Sequence, residues 1–206
     1  MITSMNTMST QTRKYELKAR AEAQRETRDR IAQAAAELHE EKGVAKTTVA
    51  EIARRAGVTR LTVYNHFADL SELIPACAGH YDKLHPAPNL SSVLAEADPA
   101  ERVRGALTRL YGWYRETEPM YGKLFSDRAS VPELDRFLEQ NFDRMQAELA
   151  GNLTAAFGVR GRRAERTGAL IRLALDYWTW SRLSREGLDD SGAADLMAAA
   201  IATHGA

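Results

Sequence analysis

The 206-residue chain has a single cysteine, only six prolines, and no surplus of either charge. With Cys77 alone, no disulfide can close within the chain, and a reducing cytoplasm is the natural setting. Cys77 itself reads as a small buried apolar side chain. No run of about 18 apolar residues occurs, so no membrane span is expected. The opening MITSMNTMSTQT is polar, lacks the apolar stretch of a signal peptide, and reads as a disordered tail. No convincing alternation of apolar and polar residues is present, which argues against a sheet. Chemistry-bearing motifs are missing too. The histidines stand apart at 39, 66, 80, 85 and 204. There is no Glu-x-x-His pair, no His-Glu-x-x-His helix and no glycine-rich phosphate loop. No catalytic residue, metal or cofactor is therefore expected.

The balance of 28 Lys/Arg against 28 Asp/Glu hides a gradient. Residues 1–70 carry twelve basic and nine acidic side chains, so the remainder of the chain is acidic by the same margin. A basic front fits an anionic partner, though the asymmetry is small.

What is present is helix. Arg13 to Arg30 is rich in Ala, Glu, Arg and Lys but has no apolar stripe early on. Periodicity begins with Ile31, Ala34, Ala35 and Leu38, and Gly43 ends that helix. Thr48 and Glu51 form a capping box for a short helix that stops at Gly57. A third helix runs from about Thr59 to Phe67, and Asp69 caps a fourth reaching about Leu84. HPAPNLSS is a linker by composition. Asp98-Pro99-Ala100-Glu101 starts a helix with Val103, Leu107, Leu110, Tyr111 and Tyr114 on one face. Pro119 is expected to open a short helix through Ser126, and Ser130-Val131-Pro132-Glu133 to cap a long one to Phe157. Further helices are expected over 162–185 and 191–203. The reading is an all-α chain of about nine helices. It divides into a flexible basic extension (1–24), a three-helix helix-turn-helix domain (25–70) and a helical bundle (71–206).

The segment TTVAEIARRAGVTRLTVYNHF, Thr47 to Phe67, carries the most information. Two short helices crossing steeply need a small residue at closest approach (Ala53), a turn residue tolerant of left-handed backbone (Gly57), and apolar wedges (Ile52, Val58, Val63). All stand at helix-turn-helix spacing. The second helix is then expected to lie in a DNA major groove. Arg60 can donate two hydrogen bonds to guanine, Asn65 can pair with adenine, and Leu61 can meet a thymine methyl. Thr62 shares the outward face. Thr48, Thr59, Tyr64 and His66 are placed to hold phosphates, which fixes position without specifying sequence.

On Gly43, Thr47-Thr48, Ile52-Ala53, Ala56-Gly57-Val58-Thr59, Val63-Tyr64, His66-Phe67 and Leu73, residues 27–73 resemble the DNA-binding domain of the tetracycline-repressor (TetR) family. The resemblance implies a nine-helix fold, a homodimer, and a C-terminal domain that binds a small effector and releases double-stranded DNA. Two positions depart from the family pattern. Leu61 stands where a small residue or proline is common, and Leu70 where a phosphate-contacting lysine is usual. Arg13, Lys14, Lys18, Arg20 and Arg25 are candidates to supply basic contacts instead, a solvated helical extension being the alternative.

The rear half concentrates the aromatic and thioether side chains. Several must be core. An apolar effector pocket between helices, rimmed by a few polar tips, is the functional alternative. Its candidates are His80, Tyr114, Tyr121, Phe125, Phe142, Met145, Asp176 and Tyr177. A self-pairing face is expected from Ile171, Leu175 and Trp178 with Leu196, Met197, Ala200 and Ile201. The overall expectation is a cytoplasmic, dimeric, effector-released regulator, a repressor on the family resemblance, with activation left open. The alternatives are a DNA-binding protein without effector or, less well supported, an all-helical enzyme.

Overall fold

The computed structural model describes residues 5–205, with side chains described over 15–204. Among these residues every regular element is helical. The chain divides into two compact units, Met1–Leu84 and His85–Ala206. No helix is long and apolar enough to cross a membrane.

In the first unit, α1 (Met5–Lys42) is followed by α2 (Val49–Ala56), α3 (Arg60–His66) and α4 (Leu70–Leu84). Met1–Ser4 lie outside the described residues. Helix α1 nevertheless begins at Met5, inside the stretch read from sequence as a disordered tail. No glycine or proline interrupts residues 5–42, and Lys18 pairs with Glu22 one turn on at 3.8 Å. The buried face starts only at Ile31 and continues through Ala34, Ala35 and Leu38. Gly43 (φ 88°) ends the helix, its N–H reaching the His39 carbonyl at 2.8 Å. Helix α4 packs on α1 through Leu73, Ile74, Cys77 and Tyr81, all buried. The compact unit thus extends through α4, past the boundary at residue 70 read from sequence.

The second unit holds α5 (Ser91–Leu94), α6 (Pro99–Asp127), α7 (Pro132–Leu138), a π-helical turn (Glu139–Asp143), α8 (Arg144–Ala156), α9 (Gly161–Leu175), α10 (Tyr177–Arg185) and α11 (Asp190–Gly205). Asp98 caps α6 as expected, accepting from the N–H groups of Ala100 and Glu101. Pro119 does not open a new helix. It sits inside α6, which runs unbroken for 29 residues. An interior proline removes one backbone hydrogen bond and costs about 3 kcal/mol. The buried face of α6 offsets that cost: Val103, Ala106, Leu107, Leu110, Tyr111, Tyr114 and Met120 are all buried, and α11 packs along it. Ser130 does not cap α7; its hydroxyl donates to the Asp127 carbonyl, and Val131 occupies the cap position without a side-chain bond.

The helix read over 162–185 is two helices. Asp176 breaks it by accepting from the N–H groups of Trp178 and Thr179 at 2.9 and 3.1 Å, capping α10. The interruption orphans carbonyls at the end of α9, and distant side chains satisfy them. The Tyr111 hydroxyl donates to the Ala174 carbonyl at 2.7 Å, and the Tyr114 hydroxyl to that of Leu175 at 2.8 Å. Gln146 on α8 donates to both the Leu175 carbonyl and the Tyr114 oxygen. Burial, with the Asp176 carboxylate nearby, pushes the ionisation of both tyrosines upward, so both remain donors at physiological pH. A second tie joins α6, α10 and α11. Arg115 grips Asp190 through Nε and Nη2 at 2.8 and 2.9 Å, while the Trp180 indole N–H donates to the same carboxylate at 3.0 Å.

Tyr114→Phe removes one partner from the Leu175 carbonyl but leaves Gln146 in place. A loss of about 1 kcal/mol is expected, read as a lower midpoint in thermal denaturation. An unchanged midpoint would show that the hydroxyl contributes nothing at this break.

Candidate nucleic-acid interface

Helices of eight and seven residues cannot persist alone in water, so α2 and α3 depend on what they pack against. Ile52 and Ala53 on α2 and Val63 on α3 are buried to 1, 4 and 2% exposure, with Phe67 closing the end of α3. Val58, expected as the third wedge, is only half-buried. Gly57 turns the chain at φ 68°, a left-handed conformation that suits glycine. Two bonds close the turn: Val58 N–H to the Ala53 carbonyl at 2.9 Å and Gly57 N–H to that of Arg54 at 3.3 Å. The capping box forms in full. Thr48 Oγ1 accepts from Glu51 N–H, and the Glu51 carboxylate accepts from the Thr48 N–H and hydroxyl.

Charge ties this hairpin to α1. Lys42 Nζ meets Glu51 at 2.5 Å. Arg55 donates to both oxygens of Glu41 at 2.5 and 3.0 Å. The Lys42 hydrogen bond, with those from the Thr48 hydroxyl and N–H, holds the Glu51 carboxyl at about 2.

The other face of α3 is left outward. Leu61 is 69% and Tyr64 55% exposed, and Thr59, Arg60 and Asn65 are exposed with them. Thr62 and His66 are half-buried. Thr59 and Thr48 serve first as helix caps: Thr59 Oγ1 accepts from Thr62 N–H at 3.1 Å and lies 2.8 Å from the Thr62 hydroxyl. What remains is a short rod presenting a guanidinium, a carboxamide, a phenol and one apolar side chain, the set of groups that reads base edges and phosphates.

Sequence reasoning missed Arg28. From α1 it donates through Nη1 to the His66 carbonyl at the C-terminal end of α3, and its guanidinium lies 3.9 Å from the Phe67 ring centroid. A cation at a helix C-terminus and over an aromatic face is doubly favourable. Its only local signal is that an arginine precedes the first buried turn of α1.

The other expected sites fare unevenly. Tyr114, Tyr121, Phe125, Phe142 and Tyr177 come together as a packed cluster. Ring centroids lie 5.4 Å apart for Tyr114–Tyr177, 4.9 Å for Phe125–Phe142 and 5.8 Å for Tyr121–Phe142. Met145 is instead 41% exposed, Asp176 is occupied as the cap of α10, and His80 belongs to the first unit. Of the expected self-pairing face, Ile171, Leu175 and Ile201 are at most 1% exposed within their own unit and cannot face a partner. They lie on the side of α9 and α11 that packs inward. Trp178, Leu196 and Ala200 are exposed, Met197 is half-exposed, and Leu173, not anticipated, is 53% exposed. In the basic extension Lys18, Arg20 and Arg25 are exposed; the side chains of Arg13 and Lys14 lie outside the described residues.

These features define a helix-turn-helix unit followed by a second, larger helical unit. Residues 31–77 match the family model described as bacterial regulatory proteins, tetR family. The chain is 37% identical over 95 residues to the HTH-type transcriptional regulator TtgR of Pseudomonas putida, a match spanning 46% of this chain and 45% of that protein. It therefore spans less than half the length of that curated relative. A longer match, 26% identical over 155 residues, joins it to the HTH-type transcriptional regulator BetI of Paraburkholderia xenovorans, covering 73% and 79% of the two chains. Among solved structures, NalD of Pseudomonas aeruginosa superposes with a TM-score of 0.57 at 25% identity, covering 87% of this chain and 96% of that one. Residues 31–77 are thus similar to the tetR family of bacterial regulatory proteins, over the part of the chain that holds the helix-turn-helix.

Two outcomes are expected from the ties to α1. Arg28→Ala should cost about 1–2 kcal/mol of stability, with Arg28→Lys recovering only part because it lacks the planar fork. Chemical denaturation measures both; a fully restoring lysine would rule out the fork geometry. Glu51 is held below its ordinary 4.5 in the folded chain. Its stabilising contribution is therefore present above pH 4.5 and is lost as pH falls toward about 2. Melting temperature followed over that window should fall less steeply in Glu51→Gln than in the unaltered protein. Parallel curves would show that Glu51 is not linked to folding.

Proposed function

We propose that the protein is a dimeric one-component transcriptional regulator, acting as a repressor. In this reading α3 enters the major groove of a palindromic operator, and a small, mostly apolar effector releases the DNA. The observation that carries it is the outward face of α3, where a 69% exposed leucine stands beside an exposed arginine and asparagine. Water gives such a leucine nothing, whereas a thymine methyl in a groove would bury it. Arg60 and Asn65 take the base-reading roles. Tyr64, His66, Thr48 and Thr59 position the helix on phosphates. The exposed Lys18, Arg20 and Arg25 of α1 add a sequence-independent attraction.

The likeness of residues 31–77 to the tetR family model supports this reading. TtgR and BetI are named as transcriptional regulators, and NalD as the secondary repressor of a multidrug efflux pump. Self-association is assigned to the exposed Trp178, Leu196 and Ala200 with Met197 and Leu173. The effector is assigned to the aromatic cluster of Tyr114, Tyr121, Phe125, Phe142 and Tyr177, whose rings offer an apolar wall, the Tyr114 hydroxyl being engaged by the Leu175 carbonyl. The relatives are regulators rather than enzymes, and the same role is assigned here.

Nuclease footprinting of the DNA flanking the gene is expected to show a palindromic protected site. On that site Arg60→Ala should weaken binding by about 1–3 kcal/mol while leaving affinity for random duplex unchanged. An equal loss on both DNAs would refute base reading by Arg60. Absence of binding to any duplex at low salt would refute the proposed function as a whole.

A further inference from the structure

We propose that a cleft between the start of α9 and the end of α11 binds a small ligand carrying at least two negative charges on phosphate groups. The cleft measures about 440 Å³ and is lined by Arg162, Arg163, Arg166, Thr203 and His204. Its volume falls in the range of small-molecule sites, roughly 300–1,000 Å³. Its lining, however, is polar and cationic, unlike the aromatic cluster assigned to an apolar effector.

The charge placement is one-sided: Arg162, Arg163 and Arg166 are exposed to water, and they gather like charge at one helix start. A helix N-terminus carries about half a positive charge and ordinarily attracts Asp or Glu. Helix α9 has no acid in its first turn, and Arg160 at its cap position makes no side-chain bond to it. Arginines follow at 162, 163 and 166. None of these three is ion-paired among the described residues; Glu165, the acid within the same stretch, pairs with none of them. Arg163 serves the fold, since its Nε donates to the His204 carbonyl at 3.2 Å and helps to hold the two walls of the cleft together. Among the described residues Arg162 and Arg166 make no comparable bond. They stand four residues apart on one helix, about 5–6 Å between Cβ atoms.

Two guanidinium forks at that spacing match adjacent phosphoryl groups, each offering an oxygen pair to one fork. A single carboxylate would engage one fork and leave the other uncompensated. The His204 ring adds a polar group on the opposite wall, while the Thr203 hydroxyl is committed to the Ala199 carbonyl at 3.0 Å. The ligand class is therefore a small molecule carrying two adjacent phosphoryl groups, inorganic pyrophosphate being the simplest. Occupancy of this cleft requires nothing of the DNA-binding role assigned to α3.

The proposal is tested by isothermal titration of the full chain with inorganic pyrophosphate in low-salt buffer. An Arg162→Ala/Arg166→Ala double variant retains Arg163 and so keeps the tie between α9 and α11. Saturable binding of one pyrophosphate per chain is expected. Affinity should drop by about tenfold or more in the double variant, with circular dichroism and melting temperature unchanged. Equal affinity in the double variant, or no saturable binding to the unaltered protein, overturns the proposal. So does succinate or random duplex DNA binding in an Arg162- and Arg166-dependent manner more tightly than pyrophosphate.

Discussion

An outward-facing helix of seven residues has too few internal hydrogen bonds to survive by itself, and the DNA-binding role proposed for the molecule depends on how α3 is held. Its inner side is anchored by Val63 and Phe67, burial of each such side chain contributing roughly 1.5–3 kcal/mol. Its start is capped by Thr59, and its end is gripped by Arg28. Helix α2 is held to α1 by Lys42–Glu51 and Arg55–Glu41. With both ends and the inner face constrained, the outer side chains need not contribute to folding. That freedom allows an exposed leucine and tyrosine to stand where a stability-driven surface would carry charge.

The second unit follows a different logic. Its core is apolar and aromatic, yet buried backbone groups at the α9–α10 break must still find partners. They do so through Tyr111, Tyr114 and Gln146, which reach from α6 and α8. The same tyrosine that satisfies the break packs against Phe142, Tyr177 and Trp180. Apolar packing and polar satisfaction therefore converge on one side chain. The π-helical turn carrying Phe142 lies just ahead of Gln146, and such turns are often found where a helix serves a site.

The elements read most faithfully from sequence were those with a local chemical signature. The Thr48–Glu51 box, the Gly43 and Gly57 stops, and the Asp98-Pro99 start each place the needed atoms within a few residues of each other. The misreadings share the opposite property. Pro119 inside α6 and the inward turn of Ile171, Leu175 and Ile201 depend on partners tens of residues away; the break at Asp176 is capped locally through the N–H groups of Trp178 and Thr179, but the carbonyls it orphans need Tyr111, Tyr114 and Gln146 from afar. Periodicity marks a face as apolar, but a face that packs within its own unit and one that awaits a second copy look alike in one dimension.

Residue order alone was enough to specify an all-helical chain, a helix-turn-helix between Thr47 and Phe67, and which side chains of α3 belong to its polar face. These rest on short-range stereochemistry: caps, a left-handed glycine, and a 3.6-residue period. Contacts between distant segments were needed to make Arg28 clasp the end of α3, to join α4 to the first unit, and to end α9 at Leu175. They also set which of the apolar residues of the last helices remain exposed. Those outcomes depend on long-range burial and on satisfying orphaned backbone groups from afar, and no window of neighbouring residues contains that information.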